Sequence, residues 1–240
     1  TTFQFQYAAT AGAWSTGGNL NTGRSNLASA GTQTAALAFG GFAPPDTGVT
    51  ESYNGTNWTE VNDLNTARRQ LVGAGTNTAA LAFGGRPQTA VTETWNGTNW
   101  TEVNDLNTAR YGSAGAGATN TAALVFGGTP DPTAALTETW NGTNWTEVND
   151  LNTARRYIAG AGTNTAALAF GGYTSTGTGV TELWNGTNWT EIADLNTARY
   201  GLAGAGITTS ALAFGGDAPP SAATEEFSTS ATVTATIGDS

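Results

Sequence analysis

At 240 residues the chain is long enough to bury a core, yet charged residues make up only 11% of it, with eight Arg, no Lys and eighteen acidic side chains giving a net charge of −10. His, Cys and Met are all absent, which excludes disulfides, thiolate or imidazole metal sites and the usual general base, and so little basic charge excludes a nucleic-acid-binding face. No apolar run reaches the roughly 18 residues that would cross a bilayer, so membrane insertion is not expected, and the Thr-, Asn-, Gly- and Ala-rich composition suggests an extracellular setting.

The chain opens at Thr1 without Met, which reads as a processed form or a fragment. Phe3, Phe5 and Tyr7 alternate with Gln4 and Gln6, the period-two pattern of a half-buried strand over residues 1–7. Trp14 follows, and it precedes Leu20 by six, as Trp58 precedes Leu64 and Trp189 precedes Leu195. Trp14 therefore ends a unit whose beginning is missing at this end of the chain.

From there a repeat takes over. Gly-Gly doublets fall at Gly40/Gly41, Gly84/Gly85, Gly127/Gly128, Gly171/Gly172 and Gly215/Gly216, in steps of 44, 43, 44 and 44, marking five units. The second unit serves for all. Its first strand, within Arg68–Gly75, is built of small and aliphatic residues that suit the innermost place in a radial array. A second strand, Ala79–Phe83, is apolar on both faces and ends at a doublet suited to positive φ or close backbone approach. The third, Val91–Trp95, alternates. Asn96-Gly97 then predicts a tight hairpin with positive φ at both centres, leading to a fourth strand over Asn99–Val103. No window shows the apolar spacing and capping of a helix. Unit three carries one extra residue within Tyr111–Thr119, read as a bulge.

The last unit has Glu225-Glu226-Phe227 for its third strand, but Thr232 stands where the next Trp belongs. The Trp14 strand can supply that fourth strand and close the ring, leaving no open sheet edge. The expectation is an all-β, five-bladed β-propeller in one domain, with four antiparallel strands per blade. Its blades run approximately over residues 24–62, 68–104, 110–149, 155–193 and 199–228, the last completed by residues 11–16. Segments 1–7 and 231–237 are then surplus strands, able to pair with each other or to join copies of the chain or other proteins by strand addition.

Units with a Gly-Gly doublet, an aromatic on the third strand (Tyr53, Trp95, Trp140, Trp184, Phe227), a Trp on the fourth (Trp58, Trp100, Trp145, Trp189) and a recurring Arg (Arg68, Arg110, Arg155, Arg199) resemble kelch-repeat β-propellers. The aromatics sit closer together than the kelch pattern places them, and the units are shorter than its roughly 50 residues. The fourfold NGTNWTE also resembles kelch-like proteins of marine bacteriophages. That resemblance implies a virion- or tail-associated protein, with host-surface molecules and other virion proteins as partners. Kelch-type oxidases hold copper through Tyr, His and a modified Cys, chemistry excluded by this composition.

Several motifs admit two readings. The Asn-x-Thr pairs at Asn54 and Asn57 and their equivalents are glycosylation acceptors or simply turn and cross-strand residues. Asp63, Asp105, Asp150 and Asp194 form a Ca²⁺-binding ring or bind their own turn amides and face a nearby Arg. Glu51 and Glu60 could serve glycoside hydrolysis, but five identical copies sit badly with one active site, so neither enzyme activity nor a cofactor or metal is expected. The informative signal is where the copies differ. The first-to-second and third-to-fourth turns, on one face of the disc, are monotonous; the other connections, on the opposite face, vary. That face gathers the candidate ligand-binding residues Phe42, Asp46, Arg69, Arg86, Tyr111, Asp131, Arg156, Tyr173, Tyr200 and Asp217, which either recognise a glycan or protein or have drifted without constraint.

Overall fold

The computed structural model describes residues 16–130, 133–217 and 221–229. It contains nineteen strands and one 3-10 turn (Thr133–Ala135) among those residues. Blade one comprises β1 (Ala28–Thr32), β2 (Ala35–Phe39), β3 (Thr50–Tyr53) and β4 (Trp58–Val61). Blade two comprises β5 (Val72–Gly75), β6 (Ala80–Phe83), β7 (Thr92–Trp95) and β8 (Trp100–Val103). Blade three comprises β9 (Ala114–Thr119), β10 (Ala122–Phe126), β11 (Thr137–Trp140) and β12 (Trp145–Val148), and blade four β13 (Ala159–Gly162), β14 (Ala167–Phe170), β15 (Thr181–Trp184) and β16 (Trp189–Glu191). Blade five shows β17 (Ala203–Ile207), β18 (Ser210–Phe214) and β19 (Thr224–Ser228). Each is an antiparallel meander in chain order, and together they make a five-bladed β-propeller. The innermost strands of all five blades, β1, β5, β9, β13 and β17, line one axial channel.

The core lies between blades, because each meander buries its apolar faces only against its neighbours. Trp100 of blade two packs on Phe39 of blade one, Trp145 on Phe83 and Trp189 on Phe126, each with ring centroids 4.9 Å apart. Each indole Nε1 also donates to a buried Thr hydroxyl of the preceding blade: Trp100 to Thr50 (3.1 Å), Trp145 to Thr92 (3.0 Å), Trp189 to Thr137 (3.1 Å). The polar end of each ring is thus satisfied inside an apolar seam. Small inner-strand residues have the same origin: a Cβ on Gly160 would lie 2.7 Å from Phe126 Cζ of blade three.

The doublets meet both conditions set for them. Gly84 and Gly85 have φ of 62° and 127°, Gly85 N–H donates to the Arg110 carbonyl of the next blade, and a Cβ on Gly84 would sit 2.7 Å from that oxygen. The extra residue of unit three is a bulge, with Gly117 and Ala118 of β9 opposite the single Ala123 of β10. The Asn-Gly hairpin differs from expectation. Trp95 pairs with Trp100, so the loop is the four residues Asn96–Asn99, and only Gly97 has positive φ (93°). Asn96 closes it with its side chain, its Oδ1 accepting from the N–H groups of Thr98 and Asn99, so a second left-handed residue is unnecessary.

Four of the seams repeat the same bonds. Around the axis Gln70 N–H donates to Asn26 O, Gly112 to Gln70, Tyr157 to Gly112 and Gly201 to Tyr157. Among the described residues no hydrogen bond joins blade five to blade one, and a Cβ on Gly215 would meet nothing within 4 Å. The expected closure rests on Trp14, which lies outside the described residues, as do the surplus strands at 1–7 and 231–237. A cavity of about 320 Å³ between blades four and five is lined by Phe170, Thr181, Leu195 and Phe227. Phe170 and Thr181 are the counterparts of the Phe and Thr that hold the three Trp rings elsewhere.

Candidate functional site

The repeat's charges are spent inside the blades. Arg68 is fully buried in an ion pair with Glu93, and Arg24–Glu51, Arg110–Glu138, Arg155–Glu182 and Arg199–Glu225 repeat it. Each Glu also binds the start of its blade: Glu93 Oε2 accepts from Asn65 N–H (2.7 Å) and Asn65 Nδ2 (2.8 Å). Burial pulls the Arg155 guanidinium down to about 10 despite Glu182 beside it, and lowers Arg68 and Arg110 in the same way. Burial pushes the Glu51 carboxyl up, but the Arg24 guanidinium and the amides of Asn21 and Thr22 outweigh it and leave the group below its ordinary value.

One expectation for the carboxylates is corrected here. Among the described residues Asp63, Asp105, Asp150 and Asp194 do not bind their own turn amides, although Asp105, Asp150 and Asp194 do act electrostatically on Arg68, Arg110 and Arg155. Each accepts from the N–H of a Thr thirteen residues earlier (Thr50, Thr92, Thr137, Thr181; 3.0–3.1 Å), tying the outer turn to the start of the third strand. The direct ion pair of each Arg is with Glu, whose side chain lies buried inside the blade. Among the described residues no cluster of acidic side chains could hold a metal ion. Glu51, one of the two carboxylates considered for hydrolysis, is committed to Arg24.

The variable connections meet in pairs, blade by blade. In every blade the residue after the recurring Arg bridges the residue after the doublet: Ser25 with Phe42, Arg69 with Arg86, Tyr111 with Thr129, Arg156 with Tyr173 and Tyr200 with Asp217. These five pairs hold eight of the ten candidate residues on one face. Asp46 joins them through an ion pair with Arg69 (2.9 Å); Asp131 lies outside the described residues. The side chains fall into three groups. Arg69 stacks over Phe42 at 4.6 Å, Arg86 over Tyr111 at 5.5 Å, and Arg156 lies 5.0 Å from Tyr173 and 5.9 Å from Tyr157. Tyr200 joins the third group, 5.1 Å from Tyr173 and 6.4 Å from Tyr157. Of the eight Arg, five are in the blade ion pairs, so the remaining three, all here, are the chain's whole supply of other side-chain cations.

Sequence reasoning missed one ring of residues. The second position after the recurring Arg, Asn26, Gln70, Gly112, Tyr157 and Gly201, surrounds the axis on this same face and lines a cavity of about 220 Å³. All five are left-handed, with φ between 52° and 63°. Gly and Asn adopt that conformation readily, whereas Gln70 and Tyr157 each hold it at a cost on the order of 1–3 kcal/mol. A signal was available: Asn, Gln, Gly, Tyr and Gly stand at equivalent places in the five units. The chain matches no family model and no curated protein.

Proposed function

We propose that this propeller is a non-catalytic recognition module of kelch type, carried on a virion or phage tail or otherwise outside the cell, that contacts a host-surface glycan through its variable face. The observation that carries the reading is the placement of Arg69, Arg86 and Arg156, each against an aromatic ring, on one rim of a chain whose other five Arg are held in the blade ion pairs. Stacked guanidinium and aromatic groups on rigid loops suit recognition. Asp46 and Asp217 bring the rim close to neutrality, which favours a neutral, hydroxyl-rich partner over a polyanion. The monotonous face, by contrast, is tied up in its own turns: Asn54, Asn96, Asn141 and Asn185 each cap the loop they begin.

The test is a glycan-array and host-surface binding screen of the protein beside a variant with Tyr111, Arg156 and Tyr200 all changed to Ala. Binding that the triple variant loses supports the reading. Binding to a host-surface protein after the glycans are stripped would move the partner to the protein class, and binding unchanged in the variant would remove the variable face from the proposal.

A further inference from the structure

The axial ring carries an unanswered acceptor. Gln70 Oε1 is buried and has no hydrogen-bond donor, and Gln70 lines the mouth of the channel together with Asn26, Gly112, Tyr157 and Gly201. The Tyr157 ring lies across that mouth: a Cβ on Gly112 would approach its Cδ1 and Cε1 at 2.9 Å. Its hydroxyl, and those of Tyr173 and Tyr200, make no hydrogen bond among the described residues. Main-chain bonds between neighbouring blades fix the ring from Asn26 to Gly201, so these side chains are presented by a rigid frame. The left-handed backbone at Gln70 and Tyr157 would be relaxed by Gly, which blades three and five use at the same place. Strain kept at two positions of five marks side chains retained for what they touch.

We propose that the axial mouth is a subsite for one neutral pyranose ring, which stacks on Tyr157 and, with the Gln70 amide turned toward the mouth, donates a hydroxyl to Gln70 Oε1; this rests on the glycan reading of the variable face. The chemistry narrows the ligand. A buried acceptor requires a donor, which rejects an anion. A second cation is disfavoured because Arg156 already lies against Tyr173 and Tyr157. A cavity of about 220 Å³, below the roughly 300–1,000 Å³ of drug-sized pockets, admits a single ring rather than an extended chain. A hydroxylated ring offers an apolar C–H face to Tyr157 and several donors to Gln70, Asn26 and the free tyrosine hydroxyls.

Saturation-transfer NMR with methyl glycosides of glucose, galactose, mannose and N-acetylglucosamine tests this on the intact chain, with Gln70→Gly and Tyr157→Gly as the variants. Their melting curves report folding independently, and Gln70→Gly is expected to melt no lower than the parent because it removes strain without removing a packed ring. At least one glycoside should bind the parent, with each variant weakening it by about tenfold or more, the discrimination expected when a hydrogen-bonding or stacking partner is lost. Equal binding by parent and Gln70→Gly overturns the axial subsite while leaving the glycan reading intact. So does an absence of glycoside binding when longer glycans still bind on the array. Silence in both assays overturns the subsite and the glycan reading together.

Discussion

Replacing Glu138 with Leu isolates the device that each blade repeats. Glu138 is fully buried and accepts from Asn107 N–H (2.8 Å), Asn107 Nδ2 (2.9 Å), Thr108 N–H (3.3 Å) and the Arg110 guanidinium. Its loss leaves Arg110, itself fully buried, without its counter-charge, and removing one partner of such a pair costs about 3–5 kcal/mol. For a chain of this size that corresponds to a fall in Tm of about 6–20 °C. Replacing Arg110 with Leu as well removes the stranded charge. The double variant should then recover most of the loss, retaining about 1–2 kcal/mol because the bonds from Asn107 and Thr108 to Glu138 are partly buried. Urea denaturation of the parent, both single variants and the double variant measures the cycle. A Glu138→Leu loss under about 1 kcal/mol, or a double variant as unstable as the single, would refute the reasoning that Arg110 needs Glu138 more than the blade needs either.

Gly160→Ala should cost about 1–3 kcal/mol in the same denaturation assay, because its Cβ would press on Phe126 Cζ at 2.7 Å in a packed seam. Thr92→Val removes the acceptor for Trp145 Nε1 and should cost about 1–3 kcal/mol. If Trp14 seats in the fourth socket, Thr181→Val should cost as much, measured by the same unfolding midpoints, and a near-zero cost would place Trp14 elsewhere. Stability should also fall in acid. Burial raises the Glu225 carboxyl, but the Asn196 amide and the Arg199 guanidinium outweigh it, so its folded value, like that of Glu51, is depressed. Such groups stabilise the fold above the unfolded value of about 4.5 and lose that contribution as pH drops through the lower folded value. Urea midpoints should hold from pH 7 to about pH 5 and decline below pH 4.5, less steeply in Glu225→Gln.

The strand order and the two unlike faces were legible because they repeat: five doublets in register set the blade count, and the loops between them set which side varies. The Arg–Glu pairs were half legible. Arg68 and its equivalents stood out, but Glu93 looked like an ordinary alternating strand residue, since its inward direction depends on the register of β6 against β7. The role given to Asp63 failed for a related reason. Its partner, Thr50 N–H, lies thirteen residues back and is adjacent only after the outer hairpin folds. The axial ring was not legible because the left-handed turn that directs the second residue after the recurring Arg toward the axis is set by the packing of the blades and not by residue type at Gln70 and Tyr157.

The same physics explains why sequence variation is confined to one face. Across four seams an Arg carbonyl receives the second Gly N–H of the preceding blade, so the position of each variable pair is fixed by main-chain atoms alone. Side chains at those pairs can change without cost to the frame, which is why Ser25, Arg69, Tyr111, Arg156 and Tyr200 occupy equivalent places. The inner and outer parts of the blade have no such freedom. A change at Gly160 meets Phe126 of the neighbouring blade, and a change at Thr92 strands the indole of Trp145. Diversity therefore accumulates only where the backbone, rather than the side chain, carries the joint between blades, and that is the rim around the axial mouth.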